Sequence, residues 1–175
     1  ELDLLQVDRA KISRLILQDY SINERTGAVN RRDTLSLIKD GETWRAVRMR
    51  NNQEIASEKM DTLLRELDEL SIVGVRPKPE GLSESLSQSK GGITISQADA
   101  LSLRGAGYYF TNTGQLLSNE GELVAHDDEG VVYTLRFGEI VYGSGEAVTA
   151  GTNQSVGNPT GPGENRYLFI TTNFD

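Results

Sequence analysis

The segment Val131-Val132-Tyr133-Thr134-Leu135-Arg136-Phe137 alternates by side: Val131, Tyr133, Leu135 and Phe137 fall on one face, and Val132, Thr134 and Arg136 on the other. Successive side chains of an extended chain point to opposite faces, so seven residues of period two predict a strand with one face toward a core. Outward from it, Asp127 to Gly130 separate this run from strand-like residues 123–126, which predicts an antiparallel hairpin with a four-residue loop. On the other side, residues 139–142 continue the ladder past Gly138, and residues 166–172 supply a final strand. Between them, residues 143–165 contain six glycines with Pro159 and Pro162, a composition that predicts a long mobile loop.

Further toward the N-terminus, Tyr108-Tyr109-Phe110 and residues 115–117 flank a turn at 112–114. A helix is predicted over 97–104, with Ser96 as its cap, Asp99 three residues on as in a capping box, and Gly105 as its stop. Residues 77–92 are polar and read as a connection, with one short helical turn at 82–86. In the N-terminal half, residues 12–18 are aliphatic and predict a strand, residues 19–33 a loop or wide turn. Residues 34–39 and 43–49 flank Asp40-Gly41, a pair that favours a tight hairpin, with Trp44 packed in its core. A helix follows. Ser57 is its expected cap, Ile55 staples its start, and Met60, Leu63, Leu64, Leu67 and Leu70 form one apolar stripe. Asp61 and Arg65 lie one turn apart on the wet face, and Gly74 and Pro77 end the helix. Each buried leucine of such a stripe contributes about 2 kcal/mol. The expected class is α+β, with antiparallel sheets built from hairpins and packed helices. It divides either into two similar small lobes, 1–78 and 79–175, or forms one continuous domain.

Composition limits function. The chain has 175 residues, 26 Asp and Glu against 18 Lys and Arg, and a formal net charge of −8. Such a surface repels phosphate backbones and anionic lipid, so no nucleic-acid partner is expected, although Arg45, Arg48 and Arg50 could form a local basic patch. No cysteine is present, which removes disulfides, thiolate metal sites and cysteine nucleophiles. No apolar run approaches the roughly 18 residues that span a bilayer. The chain starts at Glu1 without methionine and stops just after a strand-like run, so both ends read as cut from a longer protein, with a membrane anchor expected upstream of residue 1.

The residues that could carry chemistry are few. His126 is the one histidine and, with Asp127, Asp128 and Glu129, could hold a cation, or could simply form a solvated hairpin tip. The cluster lacks the spaced ligands of a calcium loop, and one histidine cannot make an HExxH site. A serine triad would need His126, and no Gly-x-Ser-x-Gly elbow exists. Glu120 and Glu122 flank Gly121 and could act as a carboxylate pair on glycosides, or form a polar turn at a strand entrance. The glycine-rich stretch 143–163 lacks phosphate-loop and dinucleotide spacing. Asn153-Gln154-Ser155 matches a glycosylation acceptor. Trp44, Tyr108, Tyr109 and Phe110 could stack sugars, or could be core. No catalytic, cofactor-binding or metal-binding residue is assigned, and no cofactor is expected.

These elements resemble the bacterial family catalogued as domain of unknown function 4340. The N-terminal half carries its strand (Ile12 to Leu17), its hairpin ending in tryptophan (Leu35, Leu37, Gly41, Trp44) and its leucine-rich helix running into Val73 to Pro77. The C-terminal half carries Leu117-Ser118-Asn119-Glu120-Gly121-Glu122, the run from Gly130 to Gly138, and Arg166-Tyr167-Leu168 before Phe174-Asp175. The resemblance covers nearly the whole chain, and its motifs are mostly structural. It implies an extracytoplasmic protein behind an N-terminal membrane helix, with protein partners near an ABC-transporter-like or gliding-motility assembly. It supplies no catalytic residues.

Overall fold

The structure, a computed structural model, describes residues 9–23, 25–49, 52–72, 78–79, 82, 95–111, 114–142, 150–152 and 164–175. In chain order the elements are β1 (Ile12–Ile22), β2 (Val29–Asp40), β3 (Thr43–Ala46), α1 (Ser57–Asp68), β4 (Leu70–Ile72), α2 (Gln97–Gly105), β5 (Tyr108–Phe110), β6 (Leu116–Ser118), β7 (Glu122–Asp127), β8 (Val131–Tyr142), β9 (Ala150–Thr152) and β10 (Glu164–Phe174). Eight strands form one sheet in the order β3-β2-β1-β7-β8-β10-β9-β4, every pair antiparallel, and β5-β6 form a separate hairpin. The fold is mainly β, within an α+β class. The large sheet takes strands from both sides of residue 78, since Leu15 of β1 lies opposite Ala125 of β7.

Register decides what each face carries. Leu37, Leu15, Ala125 and Tyr133 stand opposite one another across β2, β1, β7 and β8, as do Leu123, Leu135 and Ile170 across β7, β8 and β10. Their face packs against Met60 and Leu67 of α1 and forms the main core. The reverse face carries Phe169, which packs with Leu82, Leu103, Ala106, Tyr108 and Leu116 in a second core under α2 and the β5-β6 hairpin. Tyr20, Ile22 and Leu117 make a third, smaller cluster.

Several expectations change. Residues 19–33 are not a loop. β1 runs on to Ile22 and β2 begins at Val29, around a short turn in which Asn23 Oδ1 accepts from the Arg25 and Thr26 amides at 3.1 Å. The start of β2 is mostly exposed, so it lacks the apolar alternation by which strands are recognised; its ladder with β1 and the Arg32–Asp19 ion pair at 2.6 Å hold it. Ser57 is the first helical residue of α1, not its cap. Ala56 holds that place and supplies no side-chain cap. Ile55 does pack against the core that contains Met60, as a staple requires. Leu70 leaves the helical stripe and pairs with Thr152, because β9 draws it into the sheet. Gly74 and Pro77 lie outside the described residues, and α1 ends before them.

The Ser96 cap holds as expected, its hydroxyl accepting from the Asp99 amide at 3.1 Å. Gly105 is the last helical residue, and the chain turns at Gly107, whose φ is 86°. The Asp40-Gly41 hairpin forms with Gly41 at φ 61°, and Trp44 is half-buried against the main core. The hairpin between β7 and β8 has a three-residue loop, 128–130, not four, because Asp127 belongs to β7. Within 143–165, residues 150–152 form β9 and β10 starts at Glu164; the remainder of that stretch, and all of 82–86 but the buried Leu82, lie outside the described residues.

Candidate functional site

One row of side chains crosses the reverse face of the sheet in register: Thr34, Gln18, Glu122, Arg136 and Phe169, from β2, β1, β7, β8 and β10. At its centre Glu122 and Arg136 are an ion pair at 3.4 Å, with side chains only 8% and 15% exposed. Glu122 Oε1 accepts from Gln18 Nε2 at 3.0 Å, and Oε2 accepts from the Tyr20 hydroxyl at 3.3 Å. Arg136 donates from Nε to the Leu116 carbonyl and from Nη1 to Thr171 Oγ1, both at 3.1 Å. The Tyr20 hydroxyl also accepts from the Ser118 amide at 3.3 Å, and Ser118 Oγ donates to the Gly121 carbonyl at 2.6 Å. The network thus ties β1, β7, β8 and β10 to the hairpin that covers them. Charges taken out of water persist only when paired and hydrogen-bonded on their remaining sides, and both groups here are.

Backbone approaches beside this network are close enough to require glycine. A Cβ at Gly138 would sit 2.2 Å from the Ala106 carbonyl oxygen, and one at Gly121 2.4 Å from the Gln18 carbonyl oxygen. The Glu139 amide donates to the Ala106 carbonyl at 3.0 Å and the Asn119 amide to Gly107 at 2.9 Å, so the end of α2, the 119–121 turn and β8 meet main chain to main chain.

Burial raises the pKa of the Tyr20 and Tyr108 phenols above 10.0, and it lowers that of Lys78 below 10.5, helped by the neighbouring charge of Arg136. Above pH 10.0 an unfolded chain releases the two phenolic protons while the folded one keeps them, so stability falls as pH rises. Lys78 acts in the opposite sense only up to 10.5, where its penalty in the fold is relieved. A decline in urea midpoint is therefore expected above about pH 10.5, and Tyr108→Phe should make it shallower. Equal slopes for the two proteins would remove burial of Tyr108 as its cause.

Sequence reasoning missed this network. Arg136 stands on the polar side of a period-two strand, which predicts exposure, and Glu122 reads as a turn residue. The tertiary cover of β5-β6 and α2 buries both. Glu120, by contrast, is exposed, so the two carboxylates do not share one environment. At the hairpin tip, Asp127 Oδ1 accepts from the Glu129 and Val131 amides at 2.9 and 2.8 Å, Glu129 pairs with Lys11, and His126 Nδ1 lies 3.7 Å from Asp175 Oδ2. Among the described residues no three His, Asp or Glu side chains are grouped to hold a metal. Nor is any helix among them long and apolar enough to cross a membrane.

The aromatic candidates separate. Trp44 sits at the far edge of the sheet, and Tyr108 is buried with its hydroxyl on the Arg136 carbonyl at 3.3 Å. Tyr109 and Phe110 line a cavity of 290 Å³ with Arg104, whose guanidinium lies 5.8 Å from the Tyr109 ring centre. A second, larger groove of 430 Å³ opens between α1 and the β2-β3 hairpin. Comparisons with protein families, with curated proteins and with solved structures found no match.

Proposed function

We propose that this domain is a non-catalytic, extracytoplasmic module of a membrane-anchored bacterial envelope protein, acting through protein contacts near an ABC-transporter-like complex. The observation that carries the non-catalytic reading is Glu122, the buried acid of the reverse face: both its oxygens are engaged by Gln18, Tyr20 and Arg136, so neither is directed at a substrate. The described carboxylates elsewhere are mostly exposed and form turns or surface ion pairs. The likeness of the 117–122 and 130–138 runs to the envelope family supports the location. A photo-crosslinker at Leu101 or Phe174, which are 62% and 80% exposed, tests the reading in cells. Adducts to an integral membrane protein are expected. Recovery of the intact protein from the cytosolic fraction, with no adduct from either position, would sink it.

A second reading, glycan binding, is favoured by the cavity of Tyr109, Phe110 and Arg104, since a sugar stacks on aromatic faces and an arginine fork suits an acidic sugar. A ligand that binds only the folded state raises its stability, so acidic cell-wall fragments should raise the melting temperature, and Arg104→Ala should abolish the rise. A flat response across a broad panel would remove this reading.

A further inference from the structure

The 430 Å³ groove is lined mainly by apolar side chains. Its floor is Leu17, Leu35 and Leu37 from β1 and β2, and its wall is Ile55, Met60 and Leu63 at the start of α1. Leu35 and Met49 in its lining are 44% and 42% exposed, two of five large apolar side chains that stand so far out of the fold among the described residues. The main chain of the floor is paired within the sheet, Leu17 with Leu35, and Leu37 with Leu15 and Ala46, so the floor presents mainly hydrocarbon side chains. A peptide laid on this floor would bring backbone amides, and each amide buried unpaired is unfavourable. An alkyl chain brings none. The charged lining is Arg48, Lys59 and Glu54, a local excess of one positive charge on a chain of net −8.

We infer that this groove binds a single-chain anionic amphiphile, a long-chain carboxylate whose alkyl tail lies on the Leu17, Leu35 and Leu37 floor and whose head group faces Arg48 and Lys59. The volume falls in the range of small-ligand sites, roughly 300–1,000 Å³. The site is independent of the protein-contact reading above and extends the main core with ligand carbon, so occupancy must raise stability.

The test is titration of the 175-residue chain with monomeric laurate, with 1-dodecanol and with dodecyltrimethylammonium, read by melting temperature and by displacement of a fluorescent fatty acid. Saturable one-to-one binding is expected, laurate tightest and the cation weakest. The double reversal Arg48→Glu/Lys59→Glu should weaken laurate about tenfold and leave dodecanol unchanged. Leu35→Glu and, separately, Met49→Glu, both at exposed positions, should abolish both ligands without unfolding the protein. Three results would overturn the inference: no saturable laurate binding; a carboxylate preference that survives the double reversal; or binding only to phosphatidylglycerol vesicles, which would make the groove a membrane contact. If another stretch of this chain fills the groove, laurate will have no effect and Leu35→Glu will destabilise the fold, which also overturns it.

Discussion

Replacing Gly138 by alanine is expected to destabilise the protein by about 3–5 kcal/mol, a loss of roughly 10 °C in melting temperature for a chain of this size. The added methyl would lie 2.2 Å from the Ala106 carbonyl oxygen and 2.9 Å from the Tyr108 ring, and the first of these is main chain that no rotamer change can move. Relief requires α2 and β5 to lift from β8, which opens the second core around Leu103, Tyr108 and Leu116. Gly121→Ala should be comparable, since it combines a 2.4 Å approach to the Gln18 carbonyl oxygen with a φ of 81°. Gly41 is the control. Its φ is 61° with nothing within 4 Å of a Cβ, so alanine there meets only left-handed strain, about 1–2 kcal/mol. Gly105→Ala, in a helix and in open space, should be neutral or slightly stabilising. Urea unfolding of the four variants checks the order. If Gly138→Ala proves as mild as Gly41→Ala, the close crossing of α2 over β8 is wrong.

The second large effect is expected at the buried ion pair. Arg136→Met should cost about 3–5 kcal/mol, because it leaves the Glu122 carboxylate buried with only the neutral donors of Gln18 and Tyr20. It also frees the Leu116 carbonyl and Thr171 hydroxyl that the guanidinium joins. Glu122→Leu strands the guanidinium in the same way. The double variant Glu122→Leu/Arg136→Met should recover most of the loss, since a buried pair exchanged for packed apolar groups is often neutral in stability. A double-mutant cycle therefore predicts strong coupling. Additive single effects would mean that the two charges are solvated separately and the row across the reverse face is not closed.

The strands and helices whose signals are local were legible in the residues. The period-two run from Val131, the apolar stripe Met60, Leu63, Leu64 and Leu67, the Ser96-Asp99 box and the Asp40-Gly41 turn each carry their own pattern, and each element formed. Boundaries moved where a partner strand set them: Leu70 went to β4 through β9, and the polar start of β2 became a strand through β1. Thr152, the partner of Leu70, lies far outside any local window, and the polar start of β2 carries no apolar period by which its nearby partner could be read.

Sequence alone determined the antiparallel strands and the helices α1 and α2, because turn chemistry, capping and hydrophobic period act over a few residues. Only the tertiary structure decided that the polar side of the 131–137 strand is an interior. Val132, Thr134 and Arg136 alternate as an exposed face would, and it is a hairpin some 20 residues away in sequence, Tyr108 to Ser118, that covers part of it and buries Arg136 against Glu122. Period reports that a strand has two faces. Which of them is covered, and by what, depends on elements distant in the chain.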